Sequence, residues 1–364
     1  MMWFLSAILM SAVSLCLAQS GGKCTCIPYF YCNNTSTDNG LTVDWKQGMT
    51  SEKVLIRPCT CECESFHEVC CEDGEGGGPP TPDGGGICGI RGKRKDASGV
   101  DVDWKLFDSL GDTSTTFGEF PWMVAILKVG PSGSQEFLCG GSIIYPNIIL
   151  TTAHTISGLS AVDLRVKAGV WNTTNILESD KHQDRTVAAT VLHSGYDKSK
   201  VQNDVALLVL NDPLEITDNV APVCLPSRDT IFNSTDCIAT GWGVGNFGNK
   251  GIGSVLRMVH LPLVDSNKCQ EEFRKVPRLG PNFNLHSSFI CAGRDLADTC
   301  TGDGGGPLVC PLLDDSGKYV QIGITSWGIG CGDLPGAYSS VIAAREWIDT
   351  MSDAFPATSP RQSL

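Results

Sequence analysis

The chain has 364 residues, 40 Asp and Glu against 27 Lys and Arg, a formal net charge of −13, and 18 cysteines. The acidic balance excludes a nucleic-acid binder, which needs a basic footprint. That many cysteines belong outside the reducing cytosol, where disulfides persist, and the length suits two domains at roughly 150 residues each.

The first predicted element is a signal peptide over 1–18. Its short apolar run, Trp3 to Met10, leads to Cys16-Leu17-Ala18, with small residues where signal peptidase needs them, although no Lys or Arg precedes it. The run is too short to span a hydrocarbon core of ~30 Å, and no later apolar run is long enough. The expected mature protein is therefore secreted and extracellular, with no membrane partner. Asn-x-Ser/Thr acceptors at Asn33, Asn34, Asn172 and Asn233 fit that route as glycosylation sites.

Residues 22–72 hold eight cysteines from Cys24 to Cys71. Eight cysteines allow 105 pairings, so the connectivity stays open. A module of this size builds little core and depends on its disulfides. Nothing in it forms a catalytic set, and its expected role is interaction. Residues 73–112 form a linker and pseudo-activation segment. From Glu72 to Gly86 it has no apolar side chain to bury and reads as flexible. It lacks the GxxxxGK[ST] pattern of a phosphate loop. The basic run Arg91-Gly92-Lys93-Arg94-Lys95 reads either as a place for cutting by another protease, with the neighbourhood of Lys53 as a second, or simply as a solvated segment.

Residues 113–352 carry short, β-branched apolar runs: Met123 to Leu127, Ser142 to Ile144, Asn147 to Ala153, Val187 to Leu192, Asp204 to Leu210 and Gln321 to Trp327. Gly, Pro, Asn and Asp separate them, which predicts an all-β sandwich or barrel. Val341, Ala344, Trp347, Ile348 and Met351 recur at three- and four-residue spacing and predict a closing helix. Residues 353–364 are a tail.

Three segments of this last domain carry a chemical pattern: Thr151-Thr152-Ala153-His154, Asn203-Asp204-Val205-Ala206-Leu207-Leu208 and Gly302-Asp303-Gly304-Gly305-Gly306-Pro307. Acyl transfer by a serine nucleophile needs a hydroxyl, an imidazole to take its proton, a buried carboxylate to hold the imidazole, and backbone donors for the oxyanion. With Cys139-Gly140-Gly141-Ser142, Gly241-Trp242-Gly243 and Ser326-Trp327-Gly328-Ile329-Gly330-Cys331, these segments resemble the chymotrypsin and trypsin family from about Phe117 to Met351. The resemblance implies two six-stranded antiparallel barrels with a C-terminal helix. It places His154, Asp204 and Gly304 at the triad positions, and Gly304 stands where the family has its serine. Glycine has no side chain to attack a carbonyl; Thr301 and Ser326 occupy family positions with other roles. Loss of the serine costs on the order of 10⁶ in turnover in protease mutant series, so no enzyme activity is expected and the catalytic set is vestigial. His154 and Asp204 then satisfy each other as retained structure. Asp298, Gly328 and Gly336 match the positions that shape a pocket for Arg or Lys, left either as a binding cleft or as a solvated, unused one.

The family's activation bond is missing as well. From Leu106 to Thr116 no Arg or Lys precedes an Ile or Val whose freed ammonium could pair with Asp303. The resemblance also implies disulfides Cys237 to Cys310, Cys269 to Cys291, Cys300 to Cys331 and Cys88 to Cys224. Thr155 takes the place of the partner of Cys139, which is left unpaired, as a buried inert thiol or a site for intermolecular bonding. A family calcium site would lie in the loop after Gly169, but Val170 replaces an expected carboxylate, so no metal and no cofactor are expected.

The N-terminal pattern of Cys26-Ile27-Pro28-Tyr29-Phe30-Tyr31-Cys32, then Cys59, then Val69-Cys70-Cys71 resembles an arthropod clip domain with two extra cysteines. With Cys88-Gly89-Ile90-Arg91, His182-Gln183-Asp184-Arg185 and Phe283-Asn284-Leu285-His286, the whole chain is similar to the clip-domain serine protease homologues of insects. The resemblance implies a non-catalytic scaffold in the haemolymph cascade that activates prophenoloxidase and leads to melanization. Its partners would be haemolymph proteases or prophenoloxidase, with homo-oligomers after cleavage. A decoy that lowers cascade output and a protein binding microbial surface polymers are the rival expectations.

Overall fold

The computed structural model describes residues 24–28, 68–72, 88–95, 101–102, 113–173, 182–243, 254–293, 303–314, 316–329 and 334–355. The signal peptide, Asn33, Asn34, Lys53, Asp298, Cys300, Cys331, most of the clip-like module and linker, and residues 356–364 of the tail lie outside them; the closing helix runs into the start of the expected tail, to Asp353. The chain divides into two compact units, Met1–Thr81 and Pro82–Leu364. In the first, β1 (Cys24–Pro28) pairs antiparallel with β2 (Glu68–Glu72), with Cys24 opposite Glu72.

The second unit begins with a two-stranded ribbon, β3 (Arg94–Lys95) and β4 (Asp101–Val102). Six strands then close into an antiparallel barrel: β5 (Met123–Val129), β6 (Gln135–Tyr145), β7 (Ile148–Thr151), β8 (Leu164–Ala168), β9 (Gln183–Leu192) and β10 (Ala206–Leu210), in the spatial order β10-β7-β6-β5-β8-β9. A one-turn helix, α1 (Ala153–Ile156), follows β7.

The other strands are β11 (Ile238–Gly241), β12 (Arg257–His260), β13 (Leu263–Val264), β14 (Phe289–Ala292), β15 (Pro307–Pro311), β16 (Tyr319–Trp327) and β17 (Gly336–Ser340). They form one antiparallel sheet ordered β12-β11-β15-β16-β17-β14-β13. Among the described residues this second barrel-like layer counts seven strands, with the two-residue β13 adding to β14 at one edge. Helix α2 (Ser266–Arg274) is capped by Asp265, whose carboxylate accepts the N–H groups of Asn267 and Lys268. Helix α3 (Val341–Asp353) is capped by Ser340 and buries Val341, Ala344 and Ile348.

The first five residues of β5 and all of β7 and β10 are buried, and these strands read as apolar runs because both of their faces are covered. Side chains alternate along a strand, so Val124, Ile126, Ile149, Ala206 and Leu208 fill the first barrel. Their neighbours Met123, Ala125, Leu150 and Leu207 point the other way and meet Val309, Ile324 and the α3 residues Val341 and Ile348 in a second cluster. Each fully buried Leu, Ile or Val contributes about 1.5–3 kcal/mol, so the packing between the two layers fixes their relation. That relation positions the loops between them.

Among the described residues, disulfides join Cys88 to Cys224, Cys237 to Cys310 and Cys269 to Cys291. The first ties the segment before the barrel to the connection that follows β10, alongside β16. Arg91 follows and is buried: its guanidinium meets Glu119 at 2.5 Å and lies 4.9 Å from the centre of the Phe120 ring. Arg94 is equally buried and donates to Ser114 Oγ. The basic run therefore differs from the open cleavage segment that its composition predicts, because two of its four cations are folded into the domain.

Candidate functional site

Helix α1 begins where β7 leaves the barrel, and its first residues place His154 at the junction of the two layers. The carboxylate of Asp204 is fully buried and takes three donors. His154 Nδ1 lies 2.7 Å from Oδ2, the His154 backbone N–H reaches Oδ1 at 2.7 Å, and the Ser326 hydroxyl donates to Oδ2 at 2.5 Å. With three donors the carboxylate is satisfied without water, as a buried charge requires.

The segment entering Asp204 is bent in an unusual way. Val201 and Asn203 both have positive φ, 57° and 52°. Asn203 pays for this with two bonds, its N–H to Ser288 Oγ at 3.0 Å and its Nδ2 to Gly195 O at 2.8 Å. Ser288 Oγ is also 2.9 Å from His286 Nδ1, so the Phe283-to-His286 segment supports the loop that aims Asp204.

The other face of the imidazole has an unexpected neighbour. Nδ1 donates to Asp204, and Thr155 Oγ1 lies 3.3 Å from Nε2; Thr152 Oγ1 in turn lies 2.6 Å from Thr155 Oγ1. In a serine protease, Nε2 receives the proton of the nucleophile. Here a threonine hydroxyl next in the chain is within its reach. Only the fold could show this, since adjacent residues on a helix do not ordinarily face each other.

Gly304 and its neighbours occupy the turn before β15. Gly304 O accepts from Gly140 N at 2.9 Å, while Gly305 N and Gly306 O bond to the backbone of Thr325. A Cβ on Gly305, at φ +81°, would come within 2.3 Å of Gly140 O, and one on Gly306 within 2.7 Å of Thr240 O. Those two positions require glycine. A Cβ on Gly304 would meet nothing within 4 Å. Glycine at 304 is therefore not demanded by packing.

Asp303 packs beside Gly241 and Gly243 and accepts the Gly243 N–H at 2.7 Å. The run that leads to the barrel is bound as sheet. Ser114 bridges to Arg257, Thr113 O accepts from Met258 N, and Thr115 Oγ1 donates to Leu256 O at 2.6 Å. Gly328 is exposed just past β16 and Gly336 is buried at the start of β17, each one residue beyond the Trp327–Ala337 pair. Val170 is buried in the core, and 174–181 of the loop after Gly169 lie outside the described residues.

Cys139 is a free, buried thiol beside Thr151 Oγ1, at 3.7 Å. Burial pushes its pKa up to about 12, and the Asp204 carboxylate adds to the effect. No group of His, Cys, Asp and Glu suited to a metal ion occurs among the described residues.

The sequence profile of the family described as Trypsin matches residues 110–348. Phenoloxidase-activating factor 2 of Galleria mellonella is 47% identical over 251 residues, covering 65% of this chain and 82% of that protein. Two proteins of Anopheles gambiae, inactive CLIP domain-containing serine protease A28 and A8, are 36% and 35% identical, each over 244 residues and 65% of this chain. The matches span 62% and 66% of those two proteins.

Proposed function

The chain belongs to the trypsin family, as a clip-domain serine protease homologue, and we propose that it is a catalytically silent, secreted cofactor of an extracellular proteolytic cascade of innate immunity. The observation that carries the reading is the contrast at the turn before β15. The imidazole and carboxylate keep their mutual bonds, and space for a side chain is open at position 304, yet the residue there has no hydroxyl. Without it no acyl-enzyme can form, and the remaining backbone donors and binding supply only about 10³ to 10⁴ over water.

What such a domain retains is a surface. Its partner is a cascade protease or prophenoloxidase, and it acts by holding the two in reach of each other, without a metal or cofactor. The name of the Galleria relative supports an activating role, and the names of the mosquito relatives support the absence of catalysis.

The test is a reconstituted cascade of protease and prophenoloxidase to which the purified chain is added. A rise in phenoloxidase activity is expected. A fall would make the chain a decoy, and no change would overturn both roles and leave binding to microbial polymers to be tested by pull-down.

A further inference from the structure

Two of the most exposed large apolar side chains in the described residues sit opposite each other. Ile231 is 72% exposed and Leu313 60%. They belong to a short antiparallel ribbon beside the second sheet, in which Phe232 bridges Leu312, Leu313 N donates to Ile231 O, and Asn233 N donates to Pro311 O. The Cys237–Cys310 disulfide ties the two strands just beyond the ribbon.

Alternation fixes what each face shows. Phe232 and Leu312 turn inward, onto the cluster around Val320 and Tyr338. Ile231, Asn233, Leu313 and Pro311 therefore share the outer face. Asn233 begins the tripeptide Asn233-Ser234-Thr235. Its Oδ1 accepts both the N–H of Thr235, at 3.0 Å, and the Thr235 hydroxyl, at 2.7 Å. The carboxamide is thereby held by its oxygen, which leaves Nδ2 turned away from those bonds.

We propose that Asn233 carries an N-linked glycan whose innermost sugars lie over the Ile231–Leu313 pair. The modification forms a bond from Asn233 Nδ2 to C1 of N-acetylglucosamine. The bond from that C1 to the phosphate of a lipid-pyrophosphate oligosaccharide donor breaks, the lipid pyrophosphate leaves, and Nδ2 gives up one proton. Ile231 is two residues from Asn233, about 7 Å along an extended strand. That is the reach of one sugar ring, and the apolar face of the ring would cover side chains that a secreted protein otherwise leaves in water. The inference rests on the secretion reading, since the donor is met only on that route. Asn233 is the acceptor for which the whole tripeptide is described; Thr174 of the Asn172 site and all of the Asn33 and Asn34 sites lie outside the described residues.

The test uses the full chain expressed in an insect secretory host. Release by peptide N-glycosidase in heavy-oxygen water should convert Asn233 to Asp carrying the label, read by peptide mass spectrometry. Thr235→Ala should lose the modification and Thr235→Ser keep it. A secreted, folded chain unmodified at Asn233 overturns the glycan; a chain retained unmodified in the cell overturns the secretion reading with it. Enzymatic deglycosylation of the folded protein should raise fluorescence of a hydrophobic dye about twofold, and Leu313→Ser should cancel the rise. Unchanged fluorescence after complete release would overturn the covering role.

Discussion

Gly304 and Gly305 are neighbours held by different forces. Gly305 is glycine because its φ is +81° and a Cβ would strike Gly140 O, whereas Gly304 has open space. Gly305→Ala is expected to cost about 3 kcal/mol, by strain and overpacking together. Gly304→Ser should leave the melting temperature within the range of a surface change, about 0.5 kcal/mol. A thermal melt of each variant checks the pair. Gly304→Ser should nevertheless hydrolyse an arginine ester only feebly, since no Arg or Lys precedes an Ile or Val from Leu106 to Thr116. Trypsin-like rates from that single change would sink this expectation. Cys139 is predictable in the same way. Its thiol, raised to about 12 and buried, is almost wholly protonated near neutral pH. Iodoacetamide should leave it unmodified in the folded protein and alkylate it once the chain is unfolded in denaturant.

At the level of elements, the segment from Cys88 to Arg94 behaves as a strap. A disulfide anchors one end, and the Arg91–Glu119 pair, with side chains 1% and 0% exposed, anchors the middle. Removing one partner of a buried pair leaves a desolvated charge. Arg91→Met should therefore lower stability by about 3–5 kcal/mol, and Arg91→Met with Glu119→Leu should recover much of it. Denaturant titration of the single and double variants decides this; a double variant no more stable than the single one counts against it. Helix α3 has its own dependence on pH. The His193 ring lies against Trp347, tilted by 47° with centroids 4.8 Å apart, its Nδ1 accepts the Gly195 N–H, and partial burial lowers its pKa from the ordinary 6.5. The unfolded chain then takes up the proton first. Stability is unaffected by this group above 6.5, falls as pH drops below that value, and levels off once pH is below the folded pKa. His193→Gln should flatten the melting-temperature slope over that acidic window, and an unchanged slope would show that the burial of this ring has no such effect.

At the scale of the whole molecule, the sequence was legible wherever chemistry is local. The β-branched runs announced strands, and Val341, Ala344 and Ile348 announced the closing helix, because burial on one face leaves a period in the sequence. The Gly-Asp-Gly-Gly-Gly-Pro segment showed at once that the hydroxyl was lacking. What the residues could not show was direction. Met123 and Val124 look alike in the sequence, yet one packs between the layers and the other fills the barrel, since a strand buried on both faces has no polar alternation to tell them apart. The basic run from Arg91 to Lys95 likewise read as an open, cleavable stretch. Its burial depends on Glu119, 28 residues away. The motifs determined the fold family and the lack of a hydroxyl at residue 304, because both follow from residue type in order along the chain. Tertiary structure alone decided that Gly304 has room for a side chain, that Thr155 reaches the imidazole, and that Asn233 lies beside an exposed apolar pair. None of these follows from residue order, because each depends on where the folded backbone directs a side chain.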